Sequence, residues 1–375
     1  MPERPAAPLQ AGPLPVGPRH GSYRLAINGF GRIGRSVLRA LYESGRDREL
    51  LVVAINEPAD LATMAHLTRY DSTHGRFPGH VSAGDGCLIV DGHAIAATHH
   101  ARPGAVDWAA AAVDIVLECS GSFASRAGAE QHLRNGAGAV LFSQPAAQDV
   151  DATIVYGVNQ GELQPWHRVV SAGSCTTNAA VPVIAALHRA FTIEYGLITT
   201  IHSAMNDQPV IDAYHHTDLR KTRSAMHSII PVETGLARGI DRVLPELRGR
   251  FEAQAMRVPV TNVSAIDLTL SLADPVDVQG LNRVLQEASR SGFGGVLGYT
   301  EEPLASCDFN HDSHSAVVDA SQTRVAGAHL AKVLIWFDNE WGYANRMLDV
   351  AAHYLAVRAG SVAGGQRHQG SNPGG

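Results

Sequence analysis

The sequence predicts an α/β protein in two parts: a doubly wound parallel sheet, then an α+β unit built on a mostly antiparallel sheet. Three observations predict it. From Tyr23 onward, short apolar runs alternate with stretches of helical spacing, the pattern of parallel strands joined by helices. A glycine-rich turn stands at the first strand–helix junction. After about residue 174 the texture shifts to long alternating or β-branched runs. A chain of 375 residues also exceeds the roughly 250–300 that one hydrophobic core serves, which suits two units.

Taken in order, Tyr23 to Asn28 reads as a strand and Ser36 to Tyr42 as helix. Leu50 to Asn56, Val113 to Cys119 and Ala139 to Phe142 repeat the strand signal, and His167 to Ser171 is a further extended run. Ala179 to Ala190 is helical. In the second half, strands are expected at Gly196 to His202, Phe251 to Pro259, Val263 to Leu272 and Leu330 to Phe337. Val278 to Ser291 carries a helical rhythm through Val278, Leu281, Val284 and Leu285, and Asn345 to Val357 has the spacing of a closing helix. The expected division is a nucleotide-binding unit over 23–174, completed by a helix at 342–358, and a catalytic unit over 175–341. Residues 1–22, with prolines at 2, 5, 8, 13, 15 and 18, and the Gly/Ser-rich 359–375 are expected to be disordered tails.

Composition closes off several function classes. A net charge of −6 gives no electrostatic reason for nucleic acid as the main ligand. No apolar stretch approaches the ~20 residues of a membrane helix. Cys87, Cys119, Cys175 and Cys307 are scattered without C-x-x-C pairs, so neither a disulfide framework nor a metal site is expected, and a reducing cytoplasm is. The histidine pairs His99-His100 and His215-His216 lack a third ligand at sensible spacing.

Gly29-Phe30-Gly31-Arg32-Ile33-Gly34 forms a G-x-G-x-x-G directly after a strand and before a helix. The glycines allow a tight turn, close approach of backbone to a pyrophosphate, and close helix–strand packing. The helix N-terminus adds free N–H groups and a positive dipole. Glu57 ends the second strand about 20 residues further on, where a carboxylate accepts from a ribose 2′-hydroxyl and repels a 2′-phosphate. Together these point to a Rossmann-type NAD site.

Cys175, in Ser174-Cys175-Thr176-Thr177-Asn178, precedes a helical stretch, so it is expected near a helix N-terminus, where a thiolate is favoured. His202 ends a strand and is expected to face the same crevice. It could hold Cys175 as thiolate and take the proton of a thiohemiacetal hydroxyl.

At this point INGFGRIGR, YDSTHGRF, SCTTN, the strand ending at His202, RVPVTNVSAIDLT and WFDNEWGYANRM resemble the glyceraldehyde-3-phosphate dehydrogenases, over about residues 23–357. RALYESGR, DATIVYGVNQ, TTIHSAMNDQPVIDAYH, DFNHDSHSAVVD and FDNEWGYANRMLD resemble the members of that family that oxidise D-erythrose 4-phosphate. The resemblance implies a cytoplasmic homotetramer with NAD in each subunit and a sugar phosphate as substrate. It implies attack by Cys175, with His202 as acid/base, and hydride transfer that leaves a thioester. Asn339 would hold the nicotinamide carboxamide, with Tyr343 nearby. Arg32 and Ile33 would cradle pyrophosphate and adenosine, with Glu57 on the ribose.

By the same resemblance, Arg257 is shared by two anion pockets. Ser174, Thr176, Thr234 and Gly235 belong to the pocket for inorganic phosphate or the migrating sugar phosphate. Asp207 and Lys221 belong to the other, where Met205 replaces a phosphate-holding threonine. That replacement, with a longer C4 substrate, fits the erythrose 4-phosphate reading, in which water hydrolyses the thioester, a step the resemblance places in pyridoxal 5′-phosphate synthesis. The alternatives are a phosphorylating glycolytic enzyme and a non-catalytic NAD-binding or thiol redox-sensor protein. Three departures from the family pattern stand out. Ala172-Gly173 replaces an Asn-Ala pair and is expected to loosen the loop that aims Cys175. Lys221 replaces an arginine, and His215-His216-Thr217 carries one extra residue.

Overall fold

A computed structural model of the protein describes residues 22–215 and 218–360. The expected tails therefore lie almost wholly outside the described residues, as do His216 and Thr217 of the expected insertion. Seven α-helices are described: α1 (Arg32–Glu43), α2 (Leu61–Arg69), α3 (Arg126–Arg134), α4 (Cys175–Phe191), α5 (Leu236–Val243), α6 (Val278–Arg290) and α7 (Trp341–Arg358). None of them is long and apolar enough to cross a membrane.

The first sheet has nine strands. In spatial order they are Ala152–Thr153, Val169–Ser171, Ala139–Phe142, Ile115–Glu118, Tyr23–Asn28, Leu50–Asn56, His93–Thr98, Cys87–Val90 and Val81–Ala83. The first seven are parallel and the last two antiparallel. Ile115–Glu118 and Ala139–Phe142 are buried along their whole length, as strands covered on both faces must be. The order reverses between Tyr23–Asn28 and Ile115–Glu118, so a crevice opens at their carboxyl ends, where ligands bind in such sheets. On one face α1 buries Val37, Leu38 and Leu41 and packs on α7. Helix α7 is buried nearly throughout and packs against α1.

The antiparallel edge was not anticipated from sequence, although a signal existed. Asp91-Gly92, both at positive φ, turns the hairpin between Cys87–Val90 and His93–Thr98. Helices α2, α3 and α5 were missed too; each spans only eight or nine residues, little more than two turns.

The second sheet runs Ile230–Val232, Phe251–Arg257, Ile193–His202, Ser264–Leu272, Leu330–Phe337, Ala316–Ala326, Leu297–Thr300. Most pairings are antiparallel, as the sequence suggested. The exceptions are Leu297–Thr300 with Ala316–Ala326, and Ile193–His202 with Phe251–Arg257. The second exception positions the site, because its register sets His202 directly beside Arg257. Along Ile193–His202 the side chains of Ile198, Thr200 and His202 are buried, whereas Tyr195 and Leu197 stand 68% and 65% exposed on the opposite face.

Candidate active site

The glycine turn has the shape a dinucleotide needs. Gly29 has φ +88°, and a Cβ there would run into the backbone of Ser120 just past Ile115–Glu118. A Cβ on Gly34 would meet the Gly29 carbonyl, whereas Gly31 faces open space. Gly31 caps α1 without a side-chain hydrogen bond, and the first turn holds no acidic residue, so the N–H groups and dipole there remain for an anion. Glu57 accepts from the Phe30 N–H at 2.7 Å and so sits against the turn. These residues fit NAD.

The side chain of Arg32 turns to carboxylates of its own chain. Its guanidinium is held by both Asp71 and Glu340, with Nε 2.8 Å from Glu340. Burial alone would lower its pKa; the bonds to Glu340 and Asp71 more than reverse that. With its charge taken, what Arg32 leaves for a pyrophosphate is backbone rather than guanidinium. Glu340 also accepts from His74 Nε2 at 3.0 Å, and His74 Nδ1 lies 3.3 Å from His311 Nδ1. His311 stacks on Trp341, with ring centroids 3.6 Å apart, and reaches Glu43 at 2.8 Å. This network ties α1 to the segment around Asn339. Sequence reading quoted its motifs, YDSTHGRF and DFNHDSHS, but assigned its members no role.

Cys175 is the first residue of α4, capped by Ser174, whose Oγ accepts from the Thr177 N–H at 3.0 Å. Cys175 Sγ lies 3.8 Å from His202 Nε2. His202 Nδ1 lies 2.9 Å from the Ser203 carbonyl and 2.8 Å from Arg257 Nη1, which itself reaches that carbonyl at 3.2 Å. Nδ1 meets two competing partners. Protonated, it donates to the Ser203 carbonyl and turns the Nε2 lone pair to the sulfur, as a base requires; unprotonated, it accepts from Arg257 and the proton sits on Nε2. Arg257 Nε is buried without a partner among the described residues, a donor left for a ligand.

Burial works against the thiolate expected at the helix terminus. Cys175 touches the cavity but lies deep in the fold, and burial pushes its thiol up to about 11 despite the pull of Arg257. Burial, reinforced by the Arg257 charge, lowers His202 to about 4. In this enclosure desolvation opposes the charged form of both groups, against the pull of the helix terminus on the thiol.

The loop before Cys175 is also firmer than its glycine suggested. Gly173 adopts φ +69°, which glycine takes without strain, and its carbonyl accepts from Tyr343 Oη at 2.8 Å. Asn178 Nδ2 ties down the Ala172 and Ser174 carbonyls at 2.8 and 2.9 Å. Asn339 Oδ1 accepts from Ser203 Oγ at 3.0 Å and Ser264 Oγ at 2.9 Å, fixing the amide. Neither serine was singled out in the sequence, and their separation from Asn339 leaves no local signal.

One cavity of about 960 Å³ gathers Arg32, Ile33, Ser174, Cys175, Thr176, His202, Met205, Asp207, Thr234, Gly235, Arg257, Asn339 and Tyr343. Lys221 is not in its wall but binds Asp207 at 2.7 Å. Glu233, which the sequence reading passed over, is in the wall.

A dinucleotide-binding sheet opening on a cleft with a paired cysteine and histidine defines an NAD-dependent oxidoreductase. Two family profiles match the chain: glyceraldehyde 3-phosphate dehydrogenase, NAD binding domain, over residues 23–126, and the C-terminal domain of the same enzyme over 174–339. The chain belongs to the glyceraldehyde-3-phosphate dehydrogenase family, and its cofactor is NAD.

Proposed function

We propose that the protein oxidises D-erythrose 4-phosphate to 4-phospho-D-erythronate and resolves the acyl-enzyme with water, a step suited to pyridoxal 5′-phosphate synthesis. The observation that carries this reading is Met205 in the cavity wall, where a thioether offers no strong donor to a phosphate close to Cys175. A C4 chain sets its phosphate further from the reacting carbon than a C3 chain does, so the reading needs no strong grip there.

In this mechanism Cys175 Sγ bonds to the aldehyde carbon while the thiol proton passes through His202 Nε2 to the carbonyl oxygen. Bound NAD supplies the hydride acceptor. His202 Nε2 takes the hydroxyl proton as the thioester forms, and the Ser203 carbonyl keeps the ring oriented. Arg257 offers its charge to the sugar phosphate. Asn339, its oxygen fixed by two serines, is placed to meet the nicotinamide amide, beside Tyr343. We place the working chain in a cytoplasmic homotetramer, supported by the exposed apolar face of Ile193–His202. The proposed unit boundary stays at 174/175, with 342–358 returning to the nucleotide-binding unit.

A second reading, phosphorylating glyceraldehyde-3-phosphate dehydrogenase, is favoured by Ser174, Thr176, Thr234 and Gly235 sharing the same cavity. NADH formation with each sugar phosphate, with and without inorganic phosphate, separates the two. Preference for the C4 sugar without a phosphate requirement is expected. Faster, phosphate-dependent oxidation of the C3 sugar would replace the first reading by the second.

A further inference from the structure

The wall formed by Ser174, Thr176 and the loop 233–235 offers hydroxyls and the start of α4 but no side-chain cation. Ser174 Oγ already caps α4 and lies 2.9 Å from Thr176 Oγ1 and 2.7 Å from Thr177 Oγ1. Thr234 Oγ1 accepts from the Leu236 N–H at 3.2 Å. Ser174 Oγ and Thr234 Oγ1 accept from their own chain, and the charged side chain of this wall is a carboxylate. Glu233, exposed and in the cavity wall, has no hydrogen-bond or ion-pair partner among the described residues. Arg238 comes within 3.5 Å of the place a Gly235 Cβ would occupy, but does not line the cavity. With Arg238 counted, the loop is neutral rather than basic. The cavity wall holds two arginines: Arg32 is paired with carboxylates, and Arg257 is not. A bound sugar phosphate claims the charge of Arg257.

We propose that Glu233 selects the second nucleophile: its carboxylate repels inorganic phosphate, largely a dianion near neutral pH, and leaves the thioester carbonyl to water. This rests on the sugar-phosphate oxidation proposed above and deepens it. Water adds through oxygen to the thioester carbon and gives one proton to His202 Nε2. The adduct then collapses: the C–S electron pair leaves with Sγ, which takes that proton, and the product departs as a carboxylate with release of one more proton. Attack by a phosphate oxygen would break the same bond and yield an acyl phosphate. A unit charge about 6 Å from a dianion in a water-like medium changes its affinity about tenfold. That is enough to decide between a dilute anion and solvent water.

The test is the product mixture from erythrose 4-phosphate and NAD at rising inorganic phosphate, read by phosphorus NMR for the wild-type chain, Glu233→Gln and Glu233→Ser. Wild type is expected to give carboxylate throughout. Both variants are expected to give acyl phosphate in a share that rises with phosphate, at concentrations about tenfold or more below any at which wild type begins to do so. Carboxylate alone from every folded chain overturns the role of Glu233 and leaves the hydrolytic reading standing. Acyl phosphate as the main wild-type product overturns both. Should one variant fail to fold, the other reads the same outcome.

Discussion

The two walls of the cleft treat charge in opposite ways. On the nucleotide side Arg32 is clamped by Asp71 and Glu340, Glu340 is shared with His74, and His311 closes the chain onto Glu43 and Trp341. On the substrate side Arg257 meets a histidine and a carbonyl but no carboxylate, and one of its buried nitrogens has no partner among the described residues. Charges satisfied internally hold two parts of a fold in register. A charge left unsatisfied costs stability and is retained where a ligand completes it. The cofactor wall is therefore a frame, whereas the substrate wall sets an open Arg257 near the internal Lys221–Asp207 pair.

The largest expected effect lies at the reacting sulfur. Cys175→Ser should lower turnover by roughly 10⁴-fold or more, since a hydroxyl in the same enclosure is far harder to deprotonate, while NAD binding by calorimetry stays within about threefold. Substantial remaining turnover would remove Cys175 as nucleophile and undo the contrast at its centre.

Next comes the base. His202→Asn should cut kcat by about 10²–10⁴-fold. Its effect on thiol reactivity without substrate should be small, because Arg257, not His202, is what draws the Cys175 thiol down. With the thiol raised to about 11, cofactor-free alkylation of Cys175 should climb about tenfold per pH unit from 7 to 9 without a plateau, in wild type and variant alike. A plateau near neutral pH in wild type, abolished in the variant, would restore the thiolate–imidazolium pair that the sequence suggested.

The smallest effect tests the frame. His311 stands at φ +68°, a conformation asparagine tolerates, so His311→Asn removes the ring and its contacts without adding backbone strain. NAD affinity should fall about tenfold, ~1.4 kcal/mol, with kcat at saturating cofactor within about threefold. Lost kcat with unchanged affinity would place His311 on the substrate side of the contrast instead.

Where the fold was legible in the sequence, the signals were local. The run Ala139–Phe142, the glycine turn after Tyr23–Asn28 and the rhythm of α6 each come from neighbouring residues whose period or backbone freedom leaves little choice. Cys175 at a helix start was legible for the same reason. The antiparallel edge strands and the short helices were not, because two turns or four residues carry too little pattern to stand out. The network through His74, His311 and Glu340 was also invisible: it joins residues more than 230 positions apart, which no spacing rule connects.

The sequence by itself determined the class of chemistry: a glycine turn aimed at a helix terminus, an acidic residue at the next strand end, a cysteine opening a helix, and a histidine closing a strand. The tertiary structure alone decided what those groups can do. It set His202 beside Arg257 through a parallel strand pairing, pushed the Cys175 thiol up and the His202 imidazole down by burial, spent the charge of Arg32 on internal carboxylates and left Arg257 open. Backbone preferences are local and can be read along the chain. Desolvation and charge depend on what the rest of the molecule brings within a few ångströms, and that exists only once the chain has folded.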